Sequence, residues 1–358
     1  MFHRLWIVVL TLLSGVAFPG TPWAVESTPV RQELNLKHRV ERLEKSRPVE
    51  ASRAEGRETD GALRFHGLVE LEARYRGGAT DPALATVELG LDYQLKRLID
   101  VHVLALYEED ETTPPELDEL ILTWRQRGDS GFSFALGRLY VPFGYYDSVL
   151  IDDPLTLELG ETRRTAIELG YLRQDLGLTL FGFDGDERRV FGLGLNYQRE
   201  EELGDYRLGW SWISDLRESD GLGEALGRQD SGRAAPAWSA YLGWRRGGLE
   251  GIAEYLAASG AVSAMGSDVV DPAAWNLELD YTVSRDSRNL KFALAWQKTR
   301  DASDLGLPRS RWLAGLSAQI GRGVTFALQY AKDRDDKATD RGEEKCYNAV
   351  TAQLAIVF

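Results

Sequence analysis

Apolar and polar side chains alternate along most of this chain with a period of two residues. In the segment 347–358 the apolar face consists of Val350, Ala352, Leu354, Ile356 and Phe358. The opposite face carries Thr351 and Gln353. Because successive side chains of a β-strand point to opposite faces of a sheet, this pattern predicts a strand with one apolar and one polar side.

The alternation recurs between Leu63 and Phe358 and predicts a series of strands. They are 63–75, 85–95, 99–108, 117–126, 132–140, 163–173, 176–184, 189–198, 204–213, 236–246, 248–256, 273–283, 288–298, 310–320, 323–331 and 347–358. Closing such a sheet satisfies every backbone hydrogen bond inside a bilayer. We therefore predict an all-β fold for residues 62–358, a transmembrane antiparallel β-barrel of about sixteen strands. The final strand, ending in Phe358, resembles the closing strand of bacterial outer-membrane barrels.

Composition narrows the class further. Apolar residues make up 43% and charged residues 27% of the chain, and no window of eighteen apolar residues follows the N-terminal region, so no membrane-spanning helix is predicted. The net charge of −14 argues against a nucleic-acid partner, which needs a basic face. The single cysteine, Cys346, excludes an internal disulfide framework and a thiolate metal cluster.

The N-terminal residues have the pattern of a secretory signal peptide. Arg4 precedes an apolar run from Leu5 to Phe18, and the small residue Ala24 offers a cleavage point. A run of this length is too short to span a bilayer as a helix. Residues 1–24 are therefore predicted to be a signal peptide, with a cut after Gly20 as the alternative because Pro22 is unusual at the minus-three position, and the rest of the chain is predicted to be exported.

Residues 25–61 are predicted to be a periplasmic linker with a short helical or coiled-coil segment. Its only ordered feature is a heptad-like seam within 33–44, formed by Leu36, Val40 and Leu43. Two interpretations remain open. The segment is either a solvated charged helix or linker, or a periplasmic coiled coil that helps a homotrimer form. Two heptads are marginal on their own, because helices below ~12 to 15 residues are barely stable in water.

Connections between the predicted strands alternate between tight and long, as expected when both ends of the barrel lie in the periplasm. The long connections that this arrangement places outside are 109–116, 141–162, 214–235, 257–272, 299–309 and 332–346. The third external loop is then 141–162. In sixteen-stranded porins this loop commonly folds inward, so we expect it to narrow the pore and set its selectivity.

The least generic sequence lies in five short segments, Gly67–Glu70, Tyr107–Asp110, Leu117–Glu119, Gly137–Gly144 and Asp153–Arg163. These segments resemble the LbtU-type siderophore porins, over roughly residues 63–185. The resemblance implies an outer-membrane barrel, in some members with an N-terminal coiled coil, associated with uptake of an iron-siderophore chelate. The Pro142-Phe143-Gly144 element is also similar to the phosphate-selective porins.

Charged residues concentrate in and beside the third loop. The candidate constriction residues are the acids Asp152, Asp153, Glu158 and Glu161 and the bases Arg138, Arg163 and Arg164. Opposed charges across a narrow opening would orient a polar solute. Because the planar guanidinium binds carboxylates bidentately, the three arginines are the predicted contacts of a polycarboxylate chelate. The alternative is that these charges pair with one another and attach the loop to the wall.

Other charged residues are predicted to face inward and line the pore. They are Arg74, Glu70, Glu88, Asp92, Arg245, Glu278, Asp280 and Arg311. Further acids, Glu72, Glu250 and Glu254, share this face. A water-filled acidic wall favours cations. The pattern therefore predicts a cation-preferring pore, or one with a localised basic site, rather than a general anion porin.

The histidines give little support for catalysis. They are His3, His38, His66 and His102. A lipase would need a histidine paired with a serine on the lipid face, whereas His66 and His102 are predicted to face the lumen. These two could bind a metal together, but no third ligand is fixed by the sequence. No catalytic residue, metal or cofactor is therefore predicted.

Together these patterns predict an outer-membrane porin that does no chemistry and passes a small polar solute by facilitated diffusion. The resemblance makes an iron-siderophore chelate the expected solute. A nonspecific or ion-selective porin is the first alternative, and a lipase-type outer-membrane enzyme is the second. Expected partners are outer-membrane lipid, the solute and two further copies of the chain in a homotrimer.

Overall fold

A computed structural model describes most of the chain from Leu63 to Phe358. The described residues are 63–96, 98–109, 114–126, 130–186, 188–201, 203–226, 234–260, 262–263, 269–285, 288–302, 305–338 and 344–358. The predicted signal peptide 1–24 and linker 25–61 lie outside them. None of the helices in the described part of the chain is long and apolar enough to cross a membrane.

Sixteen strands within the described residues form a closed antiparallel barrel. They are β1 (Leu63–Arg76), β2 (Ala79–Lys96), β3 (Ile99–Glu108), β4 (Glu116–Arg125), β5 (Ser130–Tyr140), β6 (Arg163–Arg173), β7 (Leu176–Asp184), β8 (Arg189–Glu201), β9 (Gly204–Ile213), β10 (Ala237–Arg246), β11 (Leu249–Ala258), β14 (Ala273–Arg285), β15 (Arg288–Arg300), β16 (Ser310–Gly321), β17 (Val324–Ala338) and β18 (Glu344–Val357). Two short strands, β12 (Val262–Ser263) and β13 (Val269–Val270), form a separate hairpin in the loop between β11 and β14. The predicted barrel and its strand number are confirmed.

The strand ends differ from the prediction mainly on the external side of the barrel. β2 begins at Ala79 instead of residue 85, and β17 continues to Ala338 instead of ending at 331. The alternation of apolar and polar residues is required only where a strand faces lipid. These extensions therefore carry no periodic signal, and the hairpin of β12 and β13 carries none either.

The barrel closes through β1 and β18. Leu68 lies opposite Val357, and the pairing continues to Arg76 opposite Ala349. Gly67 and Phe358 complete the ladder, with their backbone groups bonded in both directions at 2.9 and 3.1 Å. A Cβ atom at position 67 would lie 2.4 Å from the Phe358 ring, so only glycine lets this ring cross β1. The final apolar strand thus removes both sheet edges.

The two faces of the wall have opposite character. Large exposed side chains such as Leu89, Leu279, Leu294 and Trp312 cover the outside. Inward positions are polar or small, as with Thr86, Gln297, Gln329 and Thr351. Outward apolar and inward polar side chains are the arrangement required of a barrel whose exterior contacts lipid. The two-residue alternation in the sequence thus corresponds to an apolar outer face and a polar inner face of the barrel.

The connections also divide by length. Tight turns at 174–175, 247–248 and 322–323 lie at the end of the barrel that holds Leu63 and Phe358. Longer loops lie at the opposite end, and two of them contain helices. These are α1 (Leu155–Gly160), a 3₁₀ turn (Leu216–Glu218) and α2 (Asp220–Leu226). The external loops 141–162 and 214–236 therefore carry the ordered structure above and inside the wall.

Candidate permeation site

The third external loop, residues 141–162 and here called loop L3, folds into the lumen. It leaves β5 and returns to β6, yet it makes hydrogen bonds to inward-facing side chains on β9, β11, β14, β15, β16 and β17. The first of these joins the Gly144 backbone N–H to the Ser211 hydroxyl on β9 at 2.9 Å. The predicted inward fold of this segment is thus present in the structure.

Glu254 on β11 binds loop L3 at three positions. Its carboxylate accepts the backbone N–H groups of Tyr145 at 2.6 Å and Tyr146 at 2.9 Å. It also accepts the hydroxyl groups of Thr156 at 2.9 Å and Ser239 at 3.0 Å. A buried carboxylate is stable only when donors surround it, and four donors here meet that requirement.

Two other lumenal side chains continue the attachment across the barrel. Glu278 on β14 accepts the Val149 N–H at 2.8 Å and the Ser148 hydroxyl at 2.7 Å. Gln329 on β17 accepts the Ile151 N–H at 2.7 Å. Loop L3 therefore follows the inner wall from β9 to β17 with its backbone donors paired to wall side chains.

The returning half of loop L3 packs through apolar side chains. Leu155, Leu157 and Leu159 on α1 are buried in a cluster with Leu216 and Leu256. Burying each leucine contributes about 1.5–3 kcal/mol. The loop therefore has an apolar core of its own inside the barrel, which makes it part of the rigid structure.

The predicted acids of loop L3 form ion pairs with the wall. Asp152 lies 3.3 Å from the Arg74 guanidinium on β1, and Glu158 lies 3.1 Å from that of Arg311 on β16. Arg311 also donates to the Asp153 carbonyl at 3.4 Å. Glu161 ends α1, where its N–H donates to the Leu157 carbonyl at 2.9 Å. Asp152 and Glu158 therefore follow the second of the two predicted alternatives, in which the charges pair with one another and attach the loop to the wall.

Glu158 is held in an environment that disfavours its charge. Burial raises its pKa above the ordinary carboxyl value, Arg311 opposes that rise, and the nearby Asp153 and Asp152 add to it. Arg311 in turn lies 3.0 Å from Asp333 on β17. A change in the protonation of Glu158 would therefore alter the balance of charge around Arg311, between loop L3 and the wall.

The structure does not bring Arg138 and Arg163 together with the acids of loop L3. By strand parity both share the outward phase near the external rim, where Arg138 is opposite the exposed Leu120, while their partner Glu116 lies opposite the buried Leu106. Arg163 pairs with the fully buried Asp118 and, at 2.6 Å, with Glu116. Arg138 reaches the same Glu116 at 3.6 Å. These two arginines are thus paired with acids of β4 at the rim, and not with the acids of loop L3.

Arg164 has the opposite orientation. It pairs in register with the buried Leu139 and faces the inside of the barrel. Its guanidinium lies 3.0 Å from Asp220 and 3.4 Å from Glu218, both in the fifth external loop. Of the three predicted basic contacts, Arg164 alone lies on the lumenal side.

Most of the acids expected to line an open wall are covered or paired. Glu278 lies under loop L3, together with Glu254, as described above. Glu250 pairs with Arg207, and the buried Asp280 lies 3.4 Å from the equally buried Lys291. The predicted acidic lining is therefore not continuous on β11 and β14. The alternation of residues shows which side chains point inward, but not what covers them.

The remaining predicted lining residues lie mainly on β1 and β2. Arg74 and Asp92 are the most exposed, with side chains 40% and 38% accessible, while Glu70 and Glu88 are nearly buried. Arg245 pairs with Asp205 near the periplasmic turn of β10. Accessible charges of both signs thus lie on β1 and β2, and the partly accessible pair of Arg245 and Asp205 lies on β10 and β9.

Two sets of charged residues at the site are not predicted by the sequence patterns. The fifth external loop supplies Glu218 and Asp220 to Arg164, and its Asp215 caps the 3₁₀ turn by accepting the Arg217 N–H at 3.3 Å. Lys291 lies inward on β15, out of phase with the exposed Phe292. The inward position of Lys291 follows from the alternation of residues along β15. The sequence of the fifth loop has no such periodic pattern, so its fold was not predictable in this way.

Two groups of relatives share sequence with the chain. A UPF0422 protein of Coxiella burnetii is 28% identical over 222 residues, covering 56% of this chain and 47% of that protein. The UPF0422 protein lpl2888 of Legionella pneumophila (strain Lens) is 21% identical over 337 residues, covering 78% and 62%. The matches thus span about half to three fifths of the length of these relatives. No protein-family profile matches the chain.

Several solved structures share its fold. The outer membrane channel DcaP of Acinetobacter baumannii superposes with a TM-score of 0.59 at 12% identity, covering 84% of this chain and 98% of that one. OprB of Pseudomonas putida gives 0.59 at 11%, covering 84% and 94%. The outer membrane protein OmpT of Vibrio cholerae, in its trimer form, gives 0.55 at 11%, covering 84% and 100%.

These similarities establish the porin fold. A closed sixteen-stranded barrel with an apolar exterior is compatible with only one bacterial location, since the lipid-facing side chains need a bilayer and the backbone needs closure. The protein lies in the outer membrane, and the predicted location is confirmed.

Proposed function

We propose that this protein is a porin that passes a small polar solute by facilitated diffusion, with loop L3 as its constriction. The observation that carries the proposal is the attachment of loop L3 across the lumen, through Glu254, Glu278 and Gln329. A loop fixed at several strands narrows the channel without closing it by movement. Its position, rather than a gate, then sets which solutes pass.

The proposed path runs between loop L3 and the wall of β1 to β4. Most polar attachments of the loop fall on β9 to β17, and Asp152 adds one to Arg74 on β1, which leaves β2 to β4 and the accessible part of Arg74 to face the solute. That wall presents the accessible Arg74 and Asp92. Because both signs of charge face the path, it suits a polar or zwitterionic solute better than a simple anion.

An iron-siderophore chelate is the specific solute that we propose. It is supported by the resemblance of segments 137–144 and 153–163 to the LbtU-type siderophore porins. The second candidate is a nonspecific or ion-selective porin. It is supported by the pairing of Arg163 with Asp118 and Glu116, because an arginine paired in this way is less available to bind a chelate.

Liposome swelling tests the pore itself. Purified mature protein should admit small sugars at rates that fall with their size, whereas vesicles without protein should not swell. Growth on a ferric chelate as sole iron source tests the solute. A deletion strain that grows as well as its parent would exclude the siderophore role and leave the general porin in place.

The oligomeric state and the absence of catalysis are also part of the proposal. We expect a homotrimer in the outer membrane, helped by the seam in residues 33–44. Deleting 33–44 should loosen the oligomer on semi-native gels, and an unaltered trimer would refute a role for that segment. A fatty-acid release assay with outer-membrane phospholipid should show no activity above that of an empty vesicle preparation.

A further inference from the structure

Three potential metal ligands meet on the lumenal face of three consecutive strands. His66 lies on β1, Asp92 on β2 and His102 on β3. The Asp92 carboxylate lies between the two rings, 2.7 Å from His102 Nδ1 and 3.4 Å from His66 Nε2. One ligand atom from each residue lies within 4.8 Å of the other two. The structure thus supplies the third ligand that the two histidines lacked in the sequence.

The backbone of β2 is shaped to allow this approach. His66 lies opposite Gly90 in the strand register and leans across it toward Asp92. A Cβ atom at position 90 would lie 1.9 Å from Cε1 of the His66 ring. The two imidazole rings are nearly parallel, with centroids 6.0 Å apart and planes at 14°. Glycine at position 90 therefore makes room for the first ligand.

A second carboxylate supports His102 from the other side. Glu119 on β4 is buried, and its Oε2 atom lies 3.5 Å from His102 Nε2. Histidines that bind metals usually donate their remaining N–H to a carboxylate, which fixes the ring and increases its basicity. Glu119 is placed for this role when His102 Nδ1 faces the ion.

The cluster is also open to water. The His66 and Asp92 side chains are 32% and 38% accessible, whereas His102 is only 13% accessible. Three protein ligands with open positions are typical of sites that bind an ion together with water or an exogenous ligand. An ion could therefore enter from the lumen without any rearrangement of the barrel.

We propose that His66, Asp92 and His102 bind one divalent transition-metal ion per barrel, on the lumenal wall near its periplasmic end. Metal–ligand bonds of about 2.0–2.2 Å require only small side-chain rotations from the present positions. Two imidazoles and one carboxylate select Zn²⁺, Ni²⁺, Co²⁺, Cu²⁺ or Fe²⁺ over Ca²⁺ and Mg²⁺, which prefer oxygen ligands. This site does not depend on which solute the pore passes.

Titration of tag-free, folded mature protein in detergent with Co²⁺ tests the proposal. The wild-type protein should bind one Co²⁺ per chain, with a visible absorption spectrum that Zn²⁺ abolishes by competition and Mg²⁺ does not. His66→Asn and His102→Asn should each weaken binding at least about tenfold. His38→Asn, which changes another histidine of the predicted mature chain and none of the three ligands, serves as the matched control and should leave both the affinity and the stoichiometry unchanged.

Retained heat-modifiability on gels establishes that each variant is folded before its affinity is compared. If His102→Asn does not fold, the more exposed His66→Asn carries the test. Absence of saturable Co²⁺ binding by the wild-type protein would overturn the proposal, and so would equal binding by the wild type and a folded His66→Asn variant. Neither result would bear on conduction by the pore.

Discussion

The carboxylate of Glu254 on β11 lies 2.6 Å from the backbone nitrogen of Tyr145, a residue of loop L3 that is 109 positions away in sequence. The same carboxylate binds Tyr146 and Thr156. A strand on one side of the barrel thus fixes a loop that originates between β5 and β6. The position of loop L3 inside the barrel depends on this contact and on its neighbours at Glu278 and Gln329.

Replacing Glu254 with alanine should release the first part of loop L3 from the wall. Each hydrogen bond to a charged group contributes about 1.5–3 kcal/mol, and the buried N–H groups of Tyr145 and Tyr146 would lose their acceptor. We expect larger and noisier single-channel currents for Glu254→Ala than for the wild type. Planar-bilayer recording measures this directly.

The matched control is Glu201→Ala, which removes an exposed glutamate near the periplasmic end of β8. Its channel conductance should equal that of the wild type. A Glu254→Ala channel with wild-type conductance and noise would mean that loop L3 holds its position without this carboxylate.

Selectivity should depend on pH through Glu158. Burial raises the pKa of Glu158, so it takes up a proton at a higher pH than an ordinary carboxyl group as the solution is acidified. Protonation removes one negative charge beside Arg311, and the constriction becomes more positive. We therefore expect the preference for cations to fall between neutral pH and the usual carboxyl range, as measured by reversal potentials in a KCl gradient.

Glu158→Gln should remove this part of the pH dependence and show weaker cation preference already at neutral pH. Asp184→Asn, at an external position where the carboxylate is 85% accessible, should leave the pH profile intact. A Glu158→Gln channel with the pH profile of the wild type would assign the titration to another group.

Arg163 and Arg164 should have different effects although they are adjacent. Arg163→Ala leaves the buried Asp118 without its guanidinium partner, and breaking a buried pair costs about 3–5 kcal/mol. Arg164→Ala breaks contacts with Glu218 and with the more exposed Asp220, so it should cost less stability than Arg163→Ala, and it removes a positive charge from the lumenal side. Denaturant titration should therefore respond to the first change and reversal potentials to the second.

The reverse pattern would contradict the outward placement of Arg163. Each variant acts as the control for the other, because both remove the same side chain one position apart on β6. A larger shift of the reversal potential in Arg163→Ala than in Arg164→Ala would place Arg163 in the permeation path.

The pair formed by Lys291 and Asp280 should matter for stability. Both side chains are almost fully buried, and their charged atoms lie 3.4 Å apart. Lys291→Met should destabilise the barrel by about 3–5 kcal/mol, because Asp280 would remain as a buried charge. The double variant Lys291→Met with Asp280→Leu should recover most of this loss in a folding titration.

Lys298→Met is the matched control, since Lys298 is exposed on the same strand. Its effect should stay within about 0.5 kcal/mol, as for ordinary surface substitutions. Equal effects of the two lysine substitutions, or no recovery in the double variant, would show that the buried pair is not the source of the stability.

The strands were predictable because their signal is local. In β14, the outward Leu277, Leu279 and Tyr281 alternate with inward Asn276 and Glu278, and no distant contact is needed to detect this. The inward fold of residues 141–162 followed from the position of the loop in the strand order.

The partners of the lumenal charges were not predictable from the alternation. Parity places Glu254 and Glu278 inward, but it does not reveal that loop L3 covers them. Parity does not favour a lumenal position for Arg138 either, because it shares the phase of apolar residues such as Leu136. The third ligand of the histidine pair was likewise hidden, since Asp92 belongs to a different strand and appeared only as a pore-lining acid.

Single-channel recording of the purified mature protein tests the central claim most directly. A folded, heat-modifiable sample in a planar bilayer should insert in discrete conductance steps and give a nonzero reversal potential in a KCl gradient, as we expect if ions pass a fixed, charged loop inside the barrel. Folded protein that inserts into the bilayer and conducts no ions would contradict the assignment of this barrel as a porin.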